Sequence, residues 1–228
     1  MPDSPSTEVV RTLKFLVKGL SSLFWSLPLI FIISIHTAIA GMPEPFSFFP
    51  ILASIMLFLY SLHQLKKFKQ DKNGWQNAVD KAFYASFIML WLCPYLHWWH
   101  KVPENSHITL AVNLYIVFGL ISMLFLNKAL ALLVVHLPDE TIKTDTQIFS
   151  DLNRQFIVSV LVIFIIFVVL DKFTDLKYSI LPRNFLLGGR SLWLLTFSIL
   201  IIVSITMGLV WKIKEFIFSS VFSQNCQS

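Results

Sequence analysis

Apolar residues run along this chain in long unbroken stretches, separated by short polar connections. A helix needs about 20 residues to cross the ~30 Å hydrocarbon core of a bilayer. Six stretches reach or approach that length, over about residues 20–40, 46–65, 82–99, 108–126, 156–170 and 191–211. The fifth is the shortest, and its helix is expected to begin slightly earlier, near Ser150 or Asp151, which are good capping residues. The fourth continues beyond Asn127 and Lys128 into a second apolar run ending at Leu137, which either extends the helix or lies along the interface. Pro138, Asp139 and Glu140 then break it, and residues 141–155 form the most polar stretch, expected to be a cytoplasmic contact segment. The pattern predicts an all-α polytopic membrane protein with one transmembrane domain over 1–228. Residues 1–19 form an N-terminal segment, 20–211 a bundle of six transmembrane helices, and 212–228 a tail.

Cations set the threading. With the N-terminus in the cytoplasm, Arg11, Lys14, Lys18, Lys66, Lys67, Lys69, Lys72, Lys81, Lys128, Lys143, Arg154, Lys212 and Lys214 all fall inside. These are 13 of the 18 lysines and arginines. Lys101, Lys172, Lys177, Arg183 and Arg190 fall outside. The positive-inside rule therefore places both termini in the cytoplasm and the chain in a cell (inner or plasma) membrane. The connection 41–45 is short, proline-rich and free of cations, as an outer hairpin should be. The connection 171–190 is too apolar for a free loop, and residues 180–187 are expected to pack on the outer surface or on the bundle. A rival arrangement exists at the N-terminus. Three cations, an apolar core and Ala38-Ile39-Ala40 have the layout of a cleavable signal peptide. Forty residues exceed the usual length of such a peptide, and the segment is long enough to span, which favours retention.

Composition sharpens the class. Residues of the hydrophobic set make up 56% of the 228 and charged residues only 14%, and mean hydropathy is +0.70. A soluble domain carries roughly 25% charged residues and could not hide so much apolar surface. The formal charge of +5 is accounted for by lysines facing anionic lipid, not nucleic acid. Cys93 lies in an apolar run and Cys226 in the polar tail, so neither a disulfide framework nor a CxxC site is present. No inverted pair of broken helices points to a secondary transporter.

Candidate chemistry is confined to histidines. No Asp, Glu, Lys or Arg falls in the middle of an expected span, and buried charge is the usual mark of intramembrane function. Cys93, His97 and His100 are spaced i, i+4, i+7 and share one helical face near the outer end of the third stretch. Glu104, Asn105 and His107 follow. His36 lies five residues before Gly41, about 7.5 Å along the first helix from its outer end. Two imidazoles can hold haem b, and a His/Cys set can hold a transition metal such as Zn or Cu. The cofactor candidates are thus His36, His97 and His100; the metal candidates are His97, His100, His107 and Cys93. Asn113 could orient an imidazole as an outer partner. The bland explanation is an aromatic belt of Trp91, Tyr95, Trp98 and Trp99, whose half-wet zone also suits histidine; Pro94 further disturbs the spacing of Cys93 under His97.

Ser204 and Gly208 form a small-xxx-small pair, which usually means close helix packing. No G-x-S-x-G, H-E-x-x-H or Walker pattern occurs. Two functions of different class remain. One is a non-catalytic accessory, assembly or permease-type membrane subunit, working with the lipid bilayer and partner membrane subunits. The other is a redox or metal-binding subunit using the outer histidines.

Overall fold

The computed structural model describes residues 5–39, 48–68, 73–102, 105–134, 140–173 and 189–225. Six α-helices make up nearly all of these residues, and no strand occurs among them. They are α1 (Pro5–Ile39), α2 (Phe49–Lys67), α3 (Asn73–Lys101), α4 (Ser106–Val134), α5 (Glu140–Phe173) and α6 (Gly189–Asn225). Consecutive helices run antiparallel. Gly19 meets Leu65, Lys66 meets Asp80, Ser86 meets Ser122, Asn127 meets Ser150, and Asp145 meets Lys212. Each helix packs on the next and α6 returns against α1, closing an up-and-down ring.

Five helices contain spans long and apolar enough to cross a membrane: Leu13–Ala38, Phe49–Lys67, Ser106–Val134, Lys143–Leu170 and Trp193–Phe218. The chain is thus compatible with an integral membrane protein. The sixth expected span lies in α3, which is long enough at 29 residues but less apolar. Its C-terminal half carries Pro94, His97, His100, Trp91, Tyr95, Trp98 and Trp99, residue types suited to an interface and not to hydrocarbon.

Several boundaries differ from the expected ones, mostly toward longer helices; α2 instead begins later, at Phe49. The apolar run after Lys128 continues α4 to Val134. Residues 141–155 are not a polar connection but the first turns of α5, which begins at Glu140, so Ser150 and Asp151 do not cap it. The physical reason is two-sided. Thr146, Ser150 and Asn153 recur at i, i+4, i+7 and turn inward, whereas Asp145, Asp151 and Arg154 turn outward. A stretch that reads as uniformly polar is an amphipathic helix whose inner face is itself polar. The helix of α6 also continues past Trp211 to Asn225, into the expected tail. Residues 174–188, including 180–187, lie outside the described residues.

Three apolar clusters fill the ring. The largest joins α1, α2, α3, α4 and α6 at the lysine-rich end and contains Leu16, Leu20, Leu23, Leu27, Leu62, Leu65, Leu126 and Ile213. The four α1 leucines alternate at four- and three-residue steps, the spacing of a helix–helix seam. A second cluster lies toward the opposite end, between α2, α3 and α4, around Ile51, Ile55, Met89, Cys93 and Tyr115. The third, smaller one joins α5 to α4 and α6 through Leu120, Ile157, Val160 and Ile202. Between lipid-solvated helices such contacts act through close packing, since lipid tails are as apolar as leucine.

Candidate functional site

At the histidine-bearing end, α3 has two different sides. Trp91, Tyr95 and Trp98 point outward, with Trp91 71% exposed. Tyr95 and Trp98 meet edge to face, their ring centres 5.7 Å apart, and Phe87 and Trp91 do so at 6.5 Å. Of the four aromatics expected to form a belt, these three face outward, whereas Trp99 packs against the second apolar cluster. Cys93, Leu96 and His97 point inward and are buried, Cys93 completely. Cys93 and Leu96 pack with Ile51, Ile55, Val112 and Tyr115. Pro94 is accommodated within the helix, and Cys93 and His97 keep to its inner side on either side of it.

The other expected site residues take different positions. His36 is exposed, while its neighbour Thr37 is buried with its hydroxyl donating to the Ile33 carbonyl at 2.7 Å. Each helical residue advances about 100°, so α1 turns Ser34 and Thr37 inward and His36 outward. Ser34 and the Tyr115 hydroxyl hydrogen-bond at 2.9 Å, tying α1 to α4 at this level. His107 is exposed at the start of α4, where the Asn105 side-chain oxygen accepts hydrogen bonds from the backbone N–H of His107 and Ile108. Asn105 is therefore an N-cap. Asn113 is half-buried on α4. His100 belongs to α3, but its side chain, like Glu104, lies outside the described residues. Among the described residues no three of His, Cys, Asp and Glu gather as a group able to hold a metal ion.

The most elaborate polar arrangement lies elsewhere, between α4, α5 and α6. Asn127, Asn153, Thr206, Thr146 and Ser150 are all buried. The Asn127 amide donates to the Ser150 carbonyl at 2.6 Å. The Asn153 amide donates to Asn127 Oδ1 at 3.3 Å and to Thr206 Oγ1 at 3.0 Å. Thr206 in turn donates to the Ile202 carbonyl at 2.8 Å. Asn153 Oδ1 and Thr146 Oγ1 are buried with no hydrogen-bond partner among the described residues. Beyond the network, Lys212 and Asp145 pair at 3.1 Å and join the same two helices. Smaller ties recur around the ring. Ser86 and Ser122 meet at 2.7 Å between α3 and α4, and Ser61 donates to Ser22 at 2.9 Å between α2 and α1.

No family model, curated protein or solved structure matches this chain. The functional reading therefore rests on the molecule's own residues. What Asn127, Ser150, Asn153 and Thr206, and the serine pairs Ser86–Ser122 and Ser22–Ser61, do chemically is tie helix to helix through uncharged hydrogen bonds. The network between α4, α5 and α6 was hidden in the sequence because its members are scattered. Its one legible signal was the i, i+4, i+7 spacing of Thr146, Ser150 and Asn153. The small pair Ser204 and Gly208 behaves differently from expectation. Both are exposed, and a side chain at Gly208 would meet nothing within 4 Å, so they do not mediate close packing inside this chain.

Proposed function

We propose that this chain is a six-span protein of a cell membrane, with both termini cytoplasmic, acting as a non-catalytic accessory or assembly subunit for partner membrane subunits. The observation that carries this is the filled interior. Leucines from α1, α2 and α4 meet α3 and α6 in one continuous cluster across the lysine-rich half of the ring. A permease-type subunit would have to open a path through that packing. Large exposed apolar side chains are most numerous on α5, including Val162, Ile163 and Ile166, and α6 adds Leu194 and Phe197 among others. A bundle sealed inside and broad outside works through its surfaces.

The experiment is photocrosslinking in native membranes from probes placed at Val162 and Phe197. Discrete protein adducts support a subunit role; adducts with lipid alone count against it. The competing reading is a redox or metal-binding subunit, drawing on the buried Cys93 and His97 with His100, to hold haem b or a transition metal. Absorbance in the haem Soret region and elemental analysis of the purified chain separate the two. A stoichiometric chromophore or metal, lost on His97→Ala and retained in Trp99→Phe, would replace the accessory reading.

A further inference from the structure

The lysine-rich end of the α1–α2 pair has a geometry that the packing alone does not use. The two helices come close at Gly19. A Cβ there would stand 2.9 Å from Leu65 Cδ2 and 3.1 Å from the Leu65 backbone nitrogen. Further along α1, the Ser22–Ser61 hydrogen bond holds the pair together. This close approach brings Lys18, next to Gly19, against Tyr60 of α2. The Lys18 ammonium lies 5.7 Å from the Tyr60 ring centre, and Lys67 lies two turns beyond Tyr60 on the same exposed side of α2. Lys67 itself sits 5.5 Å from the ring centre of Phe15. Lys14, Lys18, Tyr60, His63 and Lys67 are all exposed.

Several other cations of the molecule are paired with carboxylates. Lys66 pairs with Asp80 at 2.7 Å, Lys212 with Asp145 at 3.1 Å, and Arg154 with Asp151 at 3.6 Å. No carboxylate among the described residues pairs with Lys14, Lys18 or Lys67. Lys18 beside the Tyr60 ring and Lys67 on the same exposed side of α2, at the end of an apolar span, match a phosphodiester at the headgroup level. The apolar stripes that continue from them match acyl chains. Ala53 and Met56 extend the Tyr60 face of α2, and Trp25, Leu29 and Ile32 extend the Lys18 face of α1, all exposed.

We propose that this α1–α2 groove is a binding site for an anionic phospholipid, whose phosphate lies between Lys18 and Lys67 and accepts a hydrogen bond from the Tyr60 hydroxyl. The charge balance gives the selectivity. Phosphatidylglycerol brings a net negative charge to a cation pair that no carboxylate among the described residues neutralises. Phosphatidylcholine brings its own ammonium, which the lysines repel. The site is independent of the accessory-subunit reading and of which side of the membrane this end faces.

The test uses the full chain in detergent micelles, with retained lipid measured by native mass spectrometry during titration with phosphatidylglycerol or phosphatidylcholine. One phosphatidylglycerol should be retained preferentially. Lys18→Gln and Lys67→Gln should each weaken it about fivefold, the worth of one lysine near an anionic headgroup, and Tyr60→Phe by less. Lys18→Arg should retain binding. Lys81→Gln and Lys128→Gln, from the same end of the bundle, should leave it unchanged. Equal loss from all four Gln variants would show a diffuse field and overturn the site, as would unchanged binding in the Lys18→Gln/Lys67→Gln pair. Equal retention of phosphatidylcholine, or one-for-one displacement of the lipid by inorganic phosphate, would overturn the lipid assignment. If a Gln variant fails to elute as the wild type does, Tyr60→Phe and Lys18→Arg decide the matter: measurably weaker phosphatidylglycerol retention in the first and wild-type retention in the second support the site, and any other pair of results overturns it.

Discussion

Asn153 is the residue on which three helices converge. Its amide nitrogen reaches Asn127 on α4 and Thr206 on α6 from α5. Hydrogen bonds between membrane helices contribute on the order of 0.6–2 kcal/mol each. Asn153→Leu is expected to lower stability by about 1–2 kcal/mol, measured by unfolding in mixed micelles. A double-mutant cycle with Thr206→Val should show positive coupling; strict additivity would mean the two side chains do not cooperate. The glycines make a matched pair at this scale. Gly19→Leu would drive a side chain into Leu65 and its backbone, and is expected to cost about 1–3 kcal/mol, the usual penalty of overpacking. Gly208→Leu meets open space and should leave the melting temperature of the isolated chain unchanged. Neither outcome was legible in sequence, where Ser204-x-x-x-Gly208 carried the recognised packing motif and Gly19 stood alone. The same limit applies to His36. Its depth followed from residue counting, but its exposed direction depended on which face of α1 met α2, and a shift of one residue turns a side chain by about 100°.

At the scale of elements, α5 shows what local pattern recognises and misses. Its apolar half was evident from residues 156–170, because a long run of Val, Ile and Phe needs no partner to be recognised. Its polar half looked like a connection, because a helix that buries Thr, Ser and Asn lacks the hydropathy contrast on which amphipathicity is judged. Single cysteines scanned through this half should report helical periodicity to a water-soluble thiol reagent. A cysteine at Asp145 should label fast and one at Thr146 slowly, since the first is exposed and the second buried. Fast labelling at both would mean residues 141–155 are the open segment that their polarity suggests. For α3 the spacing placed Cys93 and His97 on one side, and they keep to it despite Pro94, but that this side faces inward and that Trp99 joins the packed cluster was decided only by the neighbouring helices.

At the scale of the molecule, the ring is closed by α6 returning to α1, with Phe24 and Trp211 in ring contact, their centres 5.5 Å apart. The proposed threading predicts that reporter fusions after Lys72 and after Pro103 will read cytoplasmic and external respectively. The opposite pair of readings would invert the bundle and carry the histidine end to the cytoplasmic side. The helical, membrane-compatible class was fixed by sequence alone, because the length of an apolar run against the thickness of a bilayer is a property of each segment by itself. The faces that the helices turn to one another were decided only in the folded chain. Where lipid and protein interior are equally apolar, hydropathy does not distinguish a buried leucine from an exposed one. The choice falls to contacts such as Gly19 on Leu65, Ser22 on Ser61 and Asn153 between Asn127 and Thr206, and each of these exists only once both partners are in place.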